Sequence, residues 1–263
     1  MPTHATAAPC VHVVVPVKSL ADAKSRLSAA VDESLRRELV LAMLEDTLRA
    51  LLESSAVSAV TVVTPDAAAA AAAIRCGACS VDERQALARA GAAGDGLAVG
   101  GHPSEGGPHA ALNAALTGAA YRVRDAVAPD HLAFVQADLP SLRPGEFTAA
   151  AAAAIAYPGL PVPGRPGDGD AHGHGRAYIA DRSGDGTTAV FVCGAATRLR
   201  LGFGGGSARR HEAQGAIALR GSWPGLRADV DTVADLRHVR RLGTGASTGT
   251  LLRRIGVPGA KTR

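Results

Sequence analysis

The stretch VHVVVPVKSLADAKSRL, residues 11–27, joins an almost uninterrupted β-branched run to a polar segment holding Lys18 and Lys24, two of the chain's three lysines. The apolar residues of Val11–Val17 do not alternate with polar ones, which predicts a strand buried on both faces, as in a parallel sheet. The third lysine is Lys261, and arginine supplies the rest of the positive charge apart from histidine. The loop after the first strand is therefore set apart by composition.

Moving outward, Leu35, Leu39, Leu41, Met43, Leu44, Leu48, Leu51 and Leu52 broadly follow a helical period. AVTVVTPD (59–66) predicts a second strand, and DAAAAAAAIRCG a helix ended by Gly77. Strand, helix, strand, helix within the opening third favours an open α/β sheet over an all-β or bundle fold. GAAGDGLAVGGHPSEGGPH (91–109) reads as a long loop, followed by a helix over 111–123. In HLAFVQADLPSL (131–142), apolar Leu132–Val135 give way to Gln136 and Asp138 before Pro140. Asp138 is thus expected at the carboxyl edge of a central strand, the side on which such sheets bind ligands.

A further helix is expected over 146–155, and PGLPVPGRPGDGDAHGHG (158–175) has the composition of a flexible surface insertion, its His172 and His174 solvated. RAYIADRSGDGTTAVFVCG (176–194) predicts two short strands around the polar turn 181–186. A second glycine-rich patch, GFGGGSARRHE, precedes AIAL and LRADVDTVADLRHVRRLG, where Asp231, Thr232 and Asp235 resemble a helix cap with its acidic first turn. Residues 1–10 are expected to be a flexible N-terminus and 243–263 a peripheral tail, leaving one domain over 11–242.

Composition narrows the function. The 28 basic and 24 acidic side chains leave a formal charge of +4, which does not call for nucleic acid as partner. No window approaches the roughly 18–20 apolar residues of a membrane span, and MPTHATAAPC lacks the features of a signal peptide, so the expectation is a cytoplasmic protein with no membrane partner. Cys76 and Cys79 form a CxxC, but no second pair follows at a zinc-site spacing.

Three polar groups are expected at one sheet edge: Lys18, Lys24 and Arg26 after the first strand, Asp138 after a central one, and Asp229 with Asp231 near the last. Separated carboxylates can hold Mg²⁺ through oxygen, while lysine and arginine neutralise phosphate oxygens, as phosphoryl or nucleotidyl transfer requires. Each group also has a structural reading: Lys24 and Arg26 as a solvated helix start, Asp138 and Asp229 as turn caps, and Asp231 as part of a helix cap. Neither GxxxxGK[ST] nor GxGxxG is present, which disfavours a P-loop ATPase and a nicotinamide-binding Rossmann domain.

The ordered set PVKSLADAKSRL, VVTPDAAAAAAA, ALNAAL, FVQADLP, ADRSGDGTTAV, FGGGSARRH and WPGLRADVDTVADL resembles the phosphoenolpyruvate or 2-phospho-L-lactate guanylyltransferases of deazaflavin coenzyme F-420 biosynthesis. The resemblance implies a GT-A-like α/β fold with a mixed, mostly parallel sheet between helices, and GTP as co-substrate with Mg²⁺. The composition looks like that of actinobacterial members, which favours phosphoenolpyruvate over 2-phospho-L-lactate as the small phosphorylated acid. Carried onto this chain, Lys18, Lys24 and Arg26 contact the GTP phosphates, and Leu112 and Asn113 lie by the guanine or ribose. Asp138 and Asp229 are the metal carboxylates, with Asp231 as alternative or supporting partner. Thr188, Gly204 and Ser207 lie near the acceptor's phosphate and carboxylate, and the labile product passes to the next pathway enzyme. Lys18, Lys24, Arg26 and Asp138 form the catalytic set. Ala137 stands where the family usually has glycine. Competing readings are a related nucleotidyltransferase and a non-catalytic nucleotide-binding regulator, the latter distinguished by GTP binding without pyrophosphate release.

Overall fold

In the computed structural model, which describes residues 10–21, 24, 27, 32–93, 109–157, 175–195 and 197–255, the valine run forms β1 (Val11–Pro16) inside a seven-stranded sheet. The other strands are β2 (Val57–Thr64), β3 (Cys79–Asp82), β4 (His131–Val135), β5 (Arg176–Ala180), β6 (Thr187–Cys193) and β7 (Ile217–Ala218), in the spatial order β3-β2-β1-β4-β6-β5-β7. β6 runs antiparallel to β4 and β5, and the remaining pairs are parallel. The sheet is mixed and mostly parallel, as expected.

β1 is buried on both faces because its side chains alternate between two apolar layers. Val11, Val13 and Val15 join the core beneath α1 (Glu33–Leu52), α2 (Ala67–Cys76) and α5 (Pro144–Ile155), whereas Val14 joins the opposite core with residues of α3 (Glu83–Ala92) and α4 (Ala110–Val127). Asp32 caps α1 by accepting Leu35 N–H at 2.9 Å. Asp66 caps α2, and Gly77 ends it in the left-handed conformation.

Several elements lie outside the periodic signal. β3 is a short, partly exposed edge strand, and α3 fully buries only Ala86. Residues 207–213 form α6 (Ser207–Ala213), and Asp229 and Asp231 lie in an irregular stretch before α7 (Val233–Leu242), not directly after a strand. The segment expected as a peripheral tail contains α8 (Ala246–Arg254), whose Leu251 and Leu252 enter the core. Its first turn is tied to α1 by the buried Asp46, which accepts Ser247 N–H at 2.9 Å and Thr248 N–H at 2.8 Å. The polar start of this helix is explained by that capping carboxylate. Cys76 and Cys79 are free thiols. Among the described residues no helix is long and apolar enough to cross a membrane. The expected insertion, apart from Gly175, and residues 1–9 lie outside the described residues.

Candidate active site

The carboxyl ends of β1 and β4 open into a cavity of about 580 Å³, within the roughly 300–1,000 Å³ range of small-molecule sites. Its wall includes Lys18, Lys24, Leu112, Asp138, Gly204, Ser207, Asp229 and Asp231. Arg26 lies outside the described residues.

The loop bearing the lysines is anchored by apolar burial on both sides: Leu20 and Leu27 are fully buried, and Leu20 N–H donates to the α2 cap Asp66 at 3.2 Å. Between them Lys24 takes a φ of 56°, in the left-handed region. Its ammonium donates to Asp138 Oδ2 and, at 2.6 Å, to Asp231 Oδ1. Burial alone would lower the Lys24 pKa, but the Coulombic pull of Asp138 and Asp231 outweighs it and holds the ammonium above its ordinary value.

Asp138 is aimed from behind by α1. The buried Thr47 hydroxyl accepts Leu139 N–H at 3.1 Å and shares its hydrogen between Met43 O (2.8 Å) and Ala137 O (3.1 Å), gripping the chain on either side of the aspartate. The capping role considered for Asp231 belongs to its neighbours: Thr232 caps α7 and forms a capping box with Asp235. The Asp231 side chain pairs with Lys24 instead. Asp229 is pushed up to about 7 by burial first, then by repulsion from Asp138, Asp181 and Asp231, against the opposing pull of Lys24.

These residues fit a hard divalent cation. Asp138 Oδ1 is buried without a hydrogen-bond partner among the described residues, and burial together with the neighbouring carboxylates Asp138, Asp181 and Asp231 raises Asp229 against the pull of Lys24. Among the described residues no three His, Cys, Asp or Glu side chains form a ready-made metal cluster. A divalent cation held by only one or two carboxylates completes its coordination with water and substrate phosphates.

The opposite wall comes from the β5–β6 turn and the glycine bend before α6. Asp181, Ser183, Asp185 and Thr187 line the cavity, as do His109 and Gln136. The sequence marked the turn only as polar. Thr188 is one residue out of place for a side-chain contact: its fully buried hydroxyl donates to Ile179 O at 3.4 Å, while Thr187 meets the cavity. Asn113 is likewise buried away from the cavity wall, bonded to the backbone of His109 and Phe203. Gly204 has a φ of 127°, and a Cβ there would lie 2.4 Å from His109 Cδ2. Backbone conformation and close packing therefore both require glycine.

Residues 11–88 match the family model "Guanylyl transferase CofC like". Phosphoenolpyruvate guanylyltransferase 1 of Rhodococcus jostii is 42% identical over 245 residues, covering 93% of this chain and 94% of the relative. The phosphoenolpyruvate guanylyltransferase of Rhodococcus opacus is 43% identical, with 93% and 91% covered, and that of Rhodococcus erythropolis is 41% identical, with 96% and 100% covered. Among solved structures, a Desulfovibrio desulfuricans G20 protein assigned to the nucleotide-diphospho-sugar transferases superposes with a TM-score of 0.59 at 15% identity, covering 94% of this chain and 95% of that one. At that identity the likeness is one of fold, and the fold is GT-A-like. With near-full-length relatives above 40% identity, the chain belongs to the CofC-like guanylyltransferase family, that of the phosphoenolpyruvate guanylyltransferases.

Proposed function

We propose that this protein transfers GMP from GTP to phosphoenolpyruvate, releasing pyrophosphate and forming enolpyruvoyl-2-diphospho-5'-guanosine. The observation that carries the reading is the Lys24 ammonium held between Asp138 and Asp231 at the sheet's carboxyl edge, in a chain 42% identical to a phosphoenolpyruvate guanylyltransferase.

Lys18 and Lys24 neutralise the GTP phosphates, joined in this proposal by Arg26, and Leu112 offers an apolar contact on the nucleotide side. Asp138 and Asp229, with Asp231 beside them, are the residues to hold Mg²⁺. When bound, that ion supplies Lewis-acid neutralisation of phosphate oxygens. Gly204 and Ser207 receive the acceptor's anionic groups, with Thr187 lining the cavity and Thr188 buried behind it. An oxygen of the acceptor phosphate attacks the α-phosphorus of GTP. A new P–O bond forms as the bond to the β-phosphate bridge oxygen breaks, and its electron pair leaves with pyrophosphate. The nucleophile is already an anion near neutral pH, so the side chains need only align two mutually repelling anions and offset their charge. The same reading includes hand-over of the labile product to the next pathway enzyme.

Purified protein incubated with GTP, Mg²⁺ and phosphoenolpyruvate is expected to yield the guanylylated acid, identified by mass, together with pyrophosphate. Unchanged GTP, or product only with 2-phospho-L-lactate, would overturn the assignment.

A further inference from the structure

We infer that Asn113 and His211 are positioning residues for the acceptor, bracing the glycine bend at 202–205 from two sides so that it meets the substrate already formed. The inference rests on the reading above, in which that bend receives the acceptor's anionic groups.

Asn113 projects from α4 with 5% of its surface exposed. Its Oδ1 accepts Phe203 N–H at 2.9 Å, and its Nδ2 donates to Phe203 O at 3.1 Å and His109 O at 3.0 Å. One side-chain amide therefore satisfies both backbone groups of Phe203 and joins them to the start of α4. A carboxylate lacks the donor, and an aliphatic side chain lacks both functions.

The second brace comes from α6. His211 is fully buried, and its Nε2 accepts Gly202 N–H at 3.0 Å. The neutral ring's proton therefore sits on Nδ1, which donates to Thr187 Oγ1 at 3.0 Å. The imidazole thus links the bend to β6. Phe203 packs edge-on against it, with ring centroids 5.4 Å apart.

Arg210 binds the carbonyls of the same bend, Nε to Gly202 O at 3.0 Å and Nη2 to Gly205 O at 2.6 Å. The N–H groups of Gly204 and Gly205, both on the cavity wall, have no acceptor among the described residues. An unbraced glycine segment would have to lose its conformational freedom when substrate bound, weakening affinity. Here that ordering accompanies folding. Neither Asn113 nor His211 lines the cavity, so their influence on substrate passes through the bend.

The test compares Asn113→Leu, His211→Phe, His211→Asn and His211→Gln. Each is measured for KM toward phosphoenolpyruvate and GTP separately, and for amide hydrogen exchange at residues 202–205 without ligand. Losing the Gly202 or Phe203 brace should raise the acceptor KM about tenfold while the GTP KM stays within about twofold, and should speed exchange at the released amides. His211→Gln keeps an acceptor able to reach Gly202 N–H and is expected to stay near wild type. His211→Asn is too short to reach Gly202 and is expected to lose the brace. This polar pair decides the question even if the leucine and phenylalanine variants unfold. Equal rises in both KM values, unchanged exchange, or identical behaviour of His211→Gln and His211→Asn would overturn the inference. If the wild type makes no product from phosphoenolpyruvate, the functional reading fails, while the exchange contrast still accepts or rejects the braces.

Discussion

Along β3-β2-β1-β4 the cavity is reached by charged side chains on loops anchored from outside the site, as with Lys24 between buried Leu20 and Leu27, and Asp138 gripped by Thr47. Beyond β4, much of the wall is a glycine bend held by buried polar groups, including Asn113 and His211. The first arrangement places charge without depending on that charge for folding. In the second, the hydrogen bonds that shape the site also hold the structure together. Substitutions should separate the two: chemistry lost with the fold intact on the first side, affinity and stability lost together on the second.

The largest effect is expected from Asp138→Ala. Turnover should fall by about 10²–10³-fold, the scale for removing one preorganised electrostatic group from a reaction centre. The fold should persist, because Asp231 still accepts from the Lys24 ammonium and Asp138 no longer repels Asp229, although Lys24 loses one of its two ion-pair partners. Pyrophosphate release at saturating substrates, read beside a thermal melt, checks both halves. Full activity with Mg²⁺ would break the charge-based account of this side.

His211 provides the next test. Burial first, then the cations Arg210 and Arg176, lower its pKa to about 4, against about 6.5 for an unperturbed histidine. The unfolded chain therefore binds the proton before the folded one does. The stabilisation is fully present above about pH 6.5 and is lost as pH falls towards 4, a change of about 3 kcal/mol from this group. Denaturant unfolding across that window should show stability rising with pH, with a smaller slope in His211→Gln. Identical slopes would mean that the imidazole is not held neutral by the bend and its surroundings.

Gly204→Ala should cost about 2 kcal/mol of stability, because alanine is strained at a φ of 127° and its Cβ meets the His109 ring. The acceptor KM should rise as well, with a smaller change for GTP. Equal loss of both affinities would erase the proposed division of the cavity.

The two sides also differed in how far they could be read from sequence. Lys18 and Asp138 stand out because each follows an apolar strand and interrupts its pattern with charge at the exit, and Lys24 because lysine is rare in this chain. Asn113 was picked out by resemblance, but its bracing contact joins residues 90 positions apart and leaves no periodic signal. His211 lay unremarked in a basic patch for the same reason. Thr188 was separated from the cavity by the alternation of a strand, where a single step reverses the face. α8 was obscured because its first turn is capped by Asp46, some 200 residues earlier. Local pattern found groups displayed by an apolar scaffold, and missed groups whose placement depends on distant polar partners.

The smallest effect tests whether the charged side is as independent of folding as it looks. Lys24 combines a functional ammonium with a φ of 56°, a conformation unfavourable for a side chain bearing Cβ. Lys24→Ala and Lys24→Gly both remove the cation between Asp138 and Asp231, so they should lose turnover to the same extent. Their stabilities should differ. Glycine relieves about 1–2 kcal/mol of left-handed strain and gives back about 0.5–1 kcal/mol through the freedom of its unfolded chain. The glycine variant should therefore be the more stable by roughly 0.5–1 kcal/mol in denaturant unfolding. Equal activities with that gap would show that the backbone strain serves to place the ammonium and does nothing else for the fold. An alanine variant at least as stable as the glycine one would mean that the loop relaxes once the charge is gone, and that Lys24's contacts with Asp138 and Asp231 are what hold the turn in its left-handed shape.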